Sequence, residues 1–228
     1  MLTPFAENLW IADGAVAEVA GFRYPTRMAV VRLADGGLWI WSAVGLTLEL
    51  QAEVLALGPV RHIVVPCANH TLHVAAWQAA FDQARTYTAP GVRRRAPGIR
   101  VDCDLHERAP TEWAGQIDQS LMPNRIAPEV VFFHRASGTL LFTDLLQGFA
   151  PGWFAGWRGV IAWLDAMTGP EPATPRKFRL ATTDRNAARA ALAHLRQWPV
   201  ERVLMAHGTP VTRDAPAYLD RAFRWLAG

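Results

Sequence analysis

Short runs built almost entirely from apolar residues punctuate this chain: Leu38-Trp-Ile-Trp, His62-Ile-Val-Val, Val130-Val-Phe-Phe-His and Thr139-Leu-Leu-Phe-Thr. Buried strands run roughly four to eight residues where helices need about ten or more, so length makes these runs strands. Leu9-Trp-Ile-Ala and Met28-Ala-Val-Val-Arg-Leu add two candidates, and Asp35-Gly-Gly before Leu38 supplies the positive φ of a hairpin turn. Helical stretches alternate with them. Residues 47–57 gather Leu48, Leu50, Val54, Leu55 and Leu57 on one side and stop at Gly58-Pro59. Residues 70–81 read as a helix, as do a tryptophan-rich stretch over 153–167 and an alanine-rich one over 184–198 with Asp184 as its N-cap. Thr86-Tyr-Thr is a further short strand, residues 130–144 form the clearest hairpin, and a strand over 202–206 precedes a last helix from Ala215. From 90 to 128 proline and charge replace periodicity, and only loops and short strands are expected.

This order gives an α/β class. The 228 residues, 51% of them hydrophobic, suffice for one core, so 1–228 reads as a single domain. The two cysteines are too few for a disulfide framework, the N-terminus lacks a signal-peptide pattern, and the longest apolar stretch, 38–48, is too short to span a bilayer. A cytoplasmic protein without a membrane partner is expected. The net charge of +3 rests on arginines, with Lys177 the single lysine. Arg93-Arg94-Arg95 is the only basic run and accompanies no nucleic-acid-binding module, so it reads as a solvated loop and no nucleic-acid partner is expected.

Three strands are followed at their carboxyl ends by residues able to bind metal. Cys67, His70 and His73 follow Ile63-Val-Val, Asp144 ends Thr139–Thr143, and His207 ends 202–206. Open α/β sheets usually place ligands at strand carboxyl ends, and imidazole with carboxylate suits zinc, iron or manganese. Helical spacing would put His70 and His73 on one face. His134 faces Thr139 beside its turn, roughly 17 Å along the strand from Asp144, so one ion cannot hold both. Cys67 reads as a small buried hydrophobe. Trp153, Trp157, Val160, Ile161 and Leu164 recur at helical spacing, which reads as core, or as a wall of the site for the N-terminal aromatics.

Gly138-Thr-Leu-Leu-Phe-Thr-Asp144 and Val203-Leu-Met-Ala-His207-Gly, with the element order around them, resemble the metallo-β-lactamase superfamily over roughly residues 9–211. The resemblance implies a four-layer αβ/βα sandwich with a metal site at one edge, Asp144 as the bridging carboxylate and His207 as the last histidine ligand. The family's H-x-H-x-D-H motif is reduced here to Pro66-Cys-Ala-Asn-His-Thr-Leu-His73. If His70 is the final His, Asn69 replaces the Asp and Cys67 a His; if His73 is, Leu72 replaces the Asp. Trp41-Ser-Ala-Val-Gly lacks the family's Asp-x-Gly carboxylate, and Met122-Pro-Asn-Arg stands where its mid-chain Gly-His belongs.

Two functions follow. The first is a metal-dependent hydrolase of an ester, thioester or amide, with one divalent transition metal, zinc before iron or manganese, on His70, Asp144, His207 and His73. The second is a non-catalytic protein that has lost the metal and binds a small molecule in the same cleft. A dinucleotide-binding oxidoreductase is disfavoured, because no G-x-G-x-x-G follows a strand. Substrate and oligomeric state are open.

Overall fold

The computed structural model describes residues 1–227. Its strands are β1 (Thr3–Ala6), β2 (Leu9–Val19), β3 (Phe22–Arg32), β4 (Leu38–Trp41), β5 (Val60–Val65), β6 (Arg85–Thr88), β7 (Cys103–Asp104), β8 (Ile117–Met122), β9 (Glu129–His134), β10 (Thr139–Gln147) and β11 (Arg202–His207). The helices are α1 (Leu48–Leu57), α2 (Val74–Ala80), α3 (Val92–Arg95), α4 (Trp157–Leu164), α5 (Arg176–Ala181), α6 (Arg185–Leu195) and α7 (Ala215–Ala222). β1 to β7 form one sheet in chain order, and the second sheet runs β11-β10-β9-β8. The first is antiparallel through β4 and parallel from β4 onward.

Apolar strands acquire two distinct faces because side chains alternate along a strand. In β4, Trp39 and Trp41 enter the core between the sheets, meeting Phe132 and Leu141 of the other sheet. Leu38 and Ile40 point the opposite way and pack with Leu50 and Val54 of α1 and Trp77 of α2. The second sheet repeats the division. Val130, Phe132, Leu204 and Ala206 face inward, while Val131, Phe133, Val203 and Met205 pack under α6 and α7. The result is the four-layer αβ/βα sandwich. Thr47 caps α1 by accepting the Leu50 N–H at 3.2 Å, and Asp184 caps α6 by accepting that of Ala187 at 2.9 Å. No helix among the described residues is long and apolar enough to cross a membrane.

Several elements depart from the periodicity. α2 begins at Val74 with His73 as its N-cap, so His70 and His73 do not share a helical face. Residues 67–74 are held in tight turns instead, with the His70 N–H on the Cys67 carbonyl and the Val74 N–H on that of Thr71. β10 runs on to Gln147, which puts Asp144 inside the strand and not at its end. Arg93-Arg94-Arg95 is helical in α3, and Arg93 pairs with Asp104 at 3.0 Å. The tryptophan-rich helix is shortened to α4, and its stripe is exposed.

Candidate functional site

The loop after β4, the turns after β5 and the ends of β3, β10 and β11 meet at one edge of the sandwich. They enclose a cleft of about 430 Å³ lined by Tyr24, Ser42, His70, His73, Asp144 and His207, among others.

Asp144 is aimed into it by an irregularity in β10. Pairing with β9 ends at Leu141↔Phe132, and pairing with β11 jumps from Phe142 to Gln147. The amides released between those points donate to one carboxylate: the N–H groups of Thr143, Asp144 and Leu145 reach Glu129 at 2.5, 2.9 and 3.0 Å. Glu129 is wholly buried, and such a group is tolerated only when hydrogen-bonded. Burial, with the Asp144 charge beside it, pushes its pKa up to about 7 against the pull of the amides.

One oxygen of Asp144, Oδ2, accepts from Asn69 Nδ2 at 2.8 Å and from the Cys67 thiol at 3.3 Å. The other, Oδ1, accepts from Gln147 Nε2 at 3.3 Å and faces His70 Nε2 at 3.6 Å and His207 Nε2 at 3.5 Å. Burial works to raise this carboxyl, but the His207 and His70 imidazoles outweigh it and hold Asp144 well below the usual range. Cys67 moves the opposite way. Burial, then the Asp144 and Glu129 charges, push its thiol well up, so it stays protonated and donates.

The outer nitrogens of both imidazoles are anchored. His207 Nδ1 lies 2.6 Å from the Pro25 carbonyl, which can only accept, so Nδ1 carries the proton and a neutral ring leaves Nε2 as a lone pair. His70 Nδ1 meets Ser42 Oγ at 2.7 Å, and burial lowers the His70 pKa, which favours its neutral form. Arg27 braces the end of β11, donating to the Met205 and Gly208 carbonyls at 3.0 and 2.5 Å. Gly208 passes so close to Gly148 that a Cβ would lie 2.9 Å from its carbonyl oxygen, and its φ of +149° disfavours a side chain as well.

With a proton on Nδ1 alone, His207 presents Nε2 as a lone pair beside Asp144 Oδ1, and the two can share a cation. Ligands about 2.0–2.2 Å from one tetrahedral ion lie roughly 3.3–3.6 Å apart, which is how far Asp144 Oδ1 lies from each Nε2. A backbone carbonyl on the outer ring nitrogen, as Pro25 supplies to His207, is also one of the ways metal-binding histidines are usually fixed. The donor set therefore fits a transition-metal ion on His70, Asp144 and His207. Among the described residues, the group whose ligand atoms all lie within 4.8 Å of one another is Cys67, His70 and Asp144; His207 meets Asp144 at 3.5 Å but falls outside that group.

His73 lies on the cleft wall against Gly45 and, among the described residues, makes no hydrogen bond or ion pair to Asp144. The arrangement follows the register in which His70 is the final His, because Asn69 and Cys67 both touch Asp144 while Leu72 is 70% exposed. Ser42, in the segment lacking a carboxylate, supports His70 instead. Asn124, in the Met122-Pro-Asn-Arg segment, donates to the Phe178 carbonyl at 2.8 Å. His134 bonds Ser137 Oγ at 2.8 Å opposite Thr139, beside its turn. Sequence reasoning missed Glu129, Ser42 and Pro25. Glu129 carried a signal, a lone carboxylate opening an apolar strand; the Pro25 carbonyl carried none, because backbone atoms do not show in a motif.

A family model described as a domain of unknown function (DUF4336) matches residues 7–93. No curated protein sequence matches the chain. Among solved structures, DIM-1 metallo-β-lactamase superposes with a TM-score of 0.66 at 15% identity over 100% of this chain and 96% of its own. The metallo-β-lactamase from Pontibacter korlensis gives 0.64 at 15% identity, covering 100% and 99%. The Flv1 flavodiiron core from Synechocystis sp. PCC6803 gives 0.68 at 12% identity over 100% of this chain, which spans only 60% of that one. With this likeness running over the full length of the chain, its two sheets and flanking helices have the metallo-β-lactamase fold.

Proposed function

We propose that the chain is a hydrolase-like protein that holds one transition-metal ion on His70, Asp144 and His207, with a small molecule bearing an ester, thioester or amide carbonyl in the cleft. The observation that carries this reading is the convergence of two anchored imidazoles on one oxygen of a buried, ionised carboxylate, at 3.5 and 3.6 Å. Zinc suits these donors best, with iron and manganese next. One solved relative is described as the mono-zinc form of FIM-1 from Pseudomonas aeruginosa. When bound, such an ion lowers the pKa of a coordinated water and polarises a carbonyl. The chain's own residues set the stage: Pro25 and Ser42 fix the rings, Asn69 and Gln147 orient the carboxylate, and Glu129 holds the strand that presents it.

A second reading, a non-catalytic protein binding its ligand in this cleft, is favoured by Asn69. That neutral amide stands against Asp144 and cannot take up a proton, so the site lacks the second carboxylate a hydrolase would use as base. Metal analysis of protein purified without a histidine tag separates the two. The hydrolase reading expects at most one equivalent surviving dialysis, and weak turnover of β-lactams or simple esters that chelator abolishes and zinc restores. A folded protein that binds no metal favours the second reading, and chelator-resistant hydrolysis that survives His207→Ala overturns the first.

A further inference from the structure

Helix α4 is inside out. Its one buried side chain is Ala162, packed with Phe149, Phe154 and Met167. Gly159 shares that inward side, where a Cβ would lie 2.8 Å from the Phe154 carbonyl oxygen. The opposite face consists of Trp157, Val160, Ile161 and Leu164, exposed by 57, 58, 43 and 48%, and Trp163 flanks it at 68%. Spacings of three and four residues make these four one stripe. Helices this short are not stable alone in water, and an alanine and a glycine supply little burial to hold one down.

The five side chains expose on the order of 500 Å² of apolar surface. That is near the top of the range for the largest patch on a monomer, and over half of the ~800 Å² each partner contributes to a standard interface. The stripe contains no charge. Arg158 is stacked on Trp157 at 4.6 Å, and Asp165 at the C-terminus of α4 is paired with Lys177 at 3.2 Å. A helix that lies in a membrane surface carries a basic polar face, which α4 lacks. An uncharged stripe is complementary to its own copy: across a two-fold axis with antiparallel helices, Trp157 of each copy meets Leu164 of the other, with Val160 and Ile161 near the axis. We propose that α4 is the centre of an isologous homodimer in which a second copy of this chain covers the stripe.

Sedimentation velocity of the full chain from about 1 to 100 µM, a range that brackets micromolar association, reads this directly. The expected result is a species of twice the chain mass, reduced to one chain mass by Ile161→Glu and by Val160→Arg. Both positions are exposed, so each variant should keep the wild-type circular dichroism and metal content. A wild type that stays monomeric throughout, or variants that remain dimeric, would overturn the proposal. Co-sedimentation of a monomeric wild type with phosphatidylcholine–phosphatidylglycerol vesicles, lost in both variants, would replace the second copy with a lipid surface.

Discussion

At His207 every polar atom has an assignment, Nδ1 to Pro25 and Nε2 toward Asp144, whereas His134 spends its Nδ1 on Ser137 far from the cleft. His207→Ala should therefore lower metal affinity by more than the roughly 10–100-fold typical of losing a supporting contact. His134→Ala should leave it unchanged, with circular dichroism reporting whether either variant has unfolded. Asn69→Asp tests the neighbouring position with opposite signs for the two states. A second carboxylate beside Asp144 should lower the melting temperature of metal-free protein through like-charge repulsion and raise zinc affinity about tenfold or more. Unchanged affinity in a zinc titration would mean that residue 69 does not face the ion. His62 and His134 make a separate prediction about pH. Burial lowers each to about 4, while an unfolded histidine titrates near 6.5. The unfolded chain takes up these protons first, so the stability they allow is complete above pH ~6.5 and is lost as pH falls toward 4. His62→Phe, which keeps a ring against Tyr87 and Trp113, should flatten that loss in melts recorded from pH 7.5 to 4.

Among the elements, β10 carries the site because its ladder is interrupted. Glu129→Leu would leave three buried amides without an acceptor, at about 1–3 kcal/mol each. The expected outcome is a clear drop in melting temperature together with weaker metal binding, partly recovered in Glu129→Gln, which keeps one acceptor oxygen. A loss of stability with unaltered metal affinity per folded molecule would show that Asp144 does not depend on Glu129 for its aim. Strand identity was legible at β4, β5, β9 and β11, where β-branched and aromatic residues cluster between turn signals. The ends were not. β10 extends to Gln147 because that residue bridges to Ala173 and His207, partners remote in sequence. The α4 stripe was read as core because periodicity reports that a helix has an apolar face, not what that face meets.

Across the whole molecule, local pattern was enough to establish an α/β chain of buried strands and amphipathic helices, and Asp144 and His207, each following an apolar strand run, were enough to nominate a metal site. These follow from physics that acts over a few residues: side-chain alternation, turn conformations and helix caps. Which residues complete the site was decided only by tertiary structure. His207 is anchored by a carbonyl 182 positions away and Asp144 is bonded to Asn69 across 75, separations that no spacing rule spans. The packing of two sheets, each with its own strand order, brings such residues together. The same packing selected His70 over His73, because tight turns after β5 carry one imidazole to Asp144 and leave the other on the cleft wall.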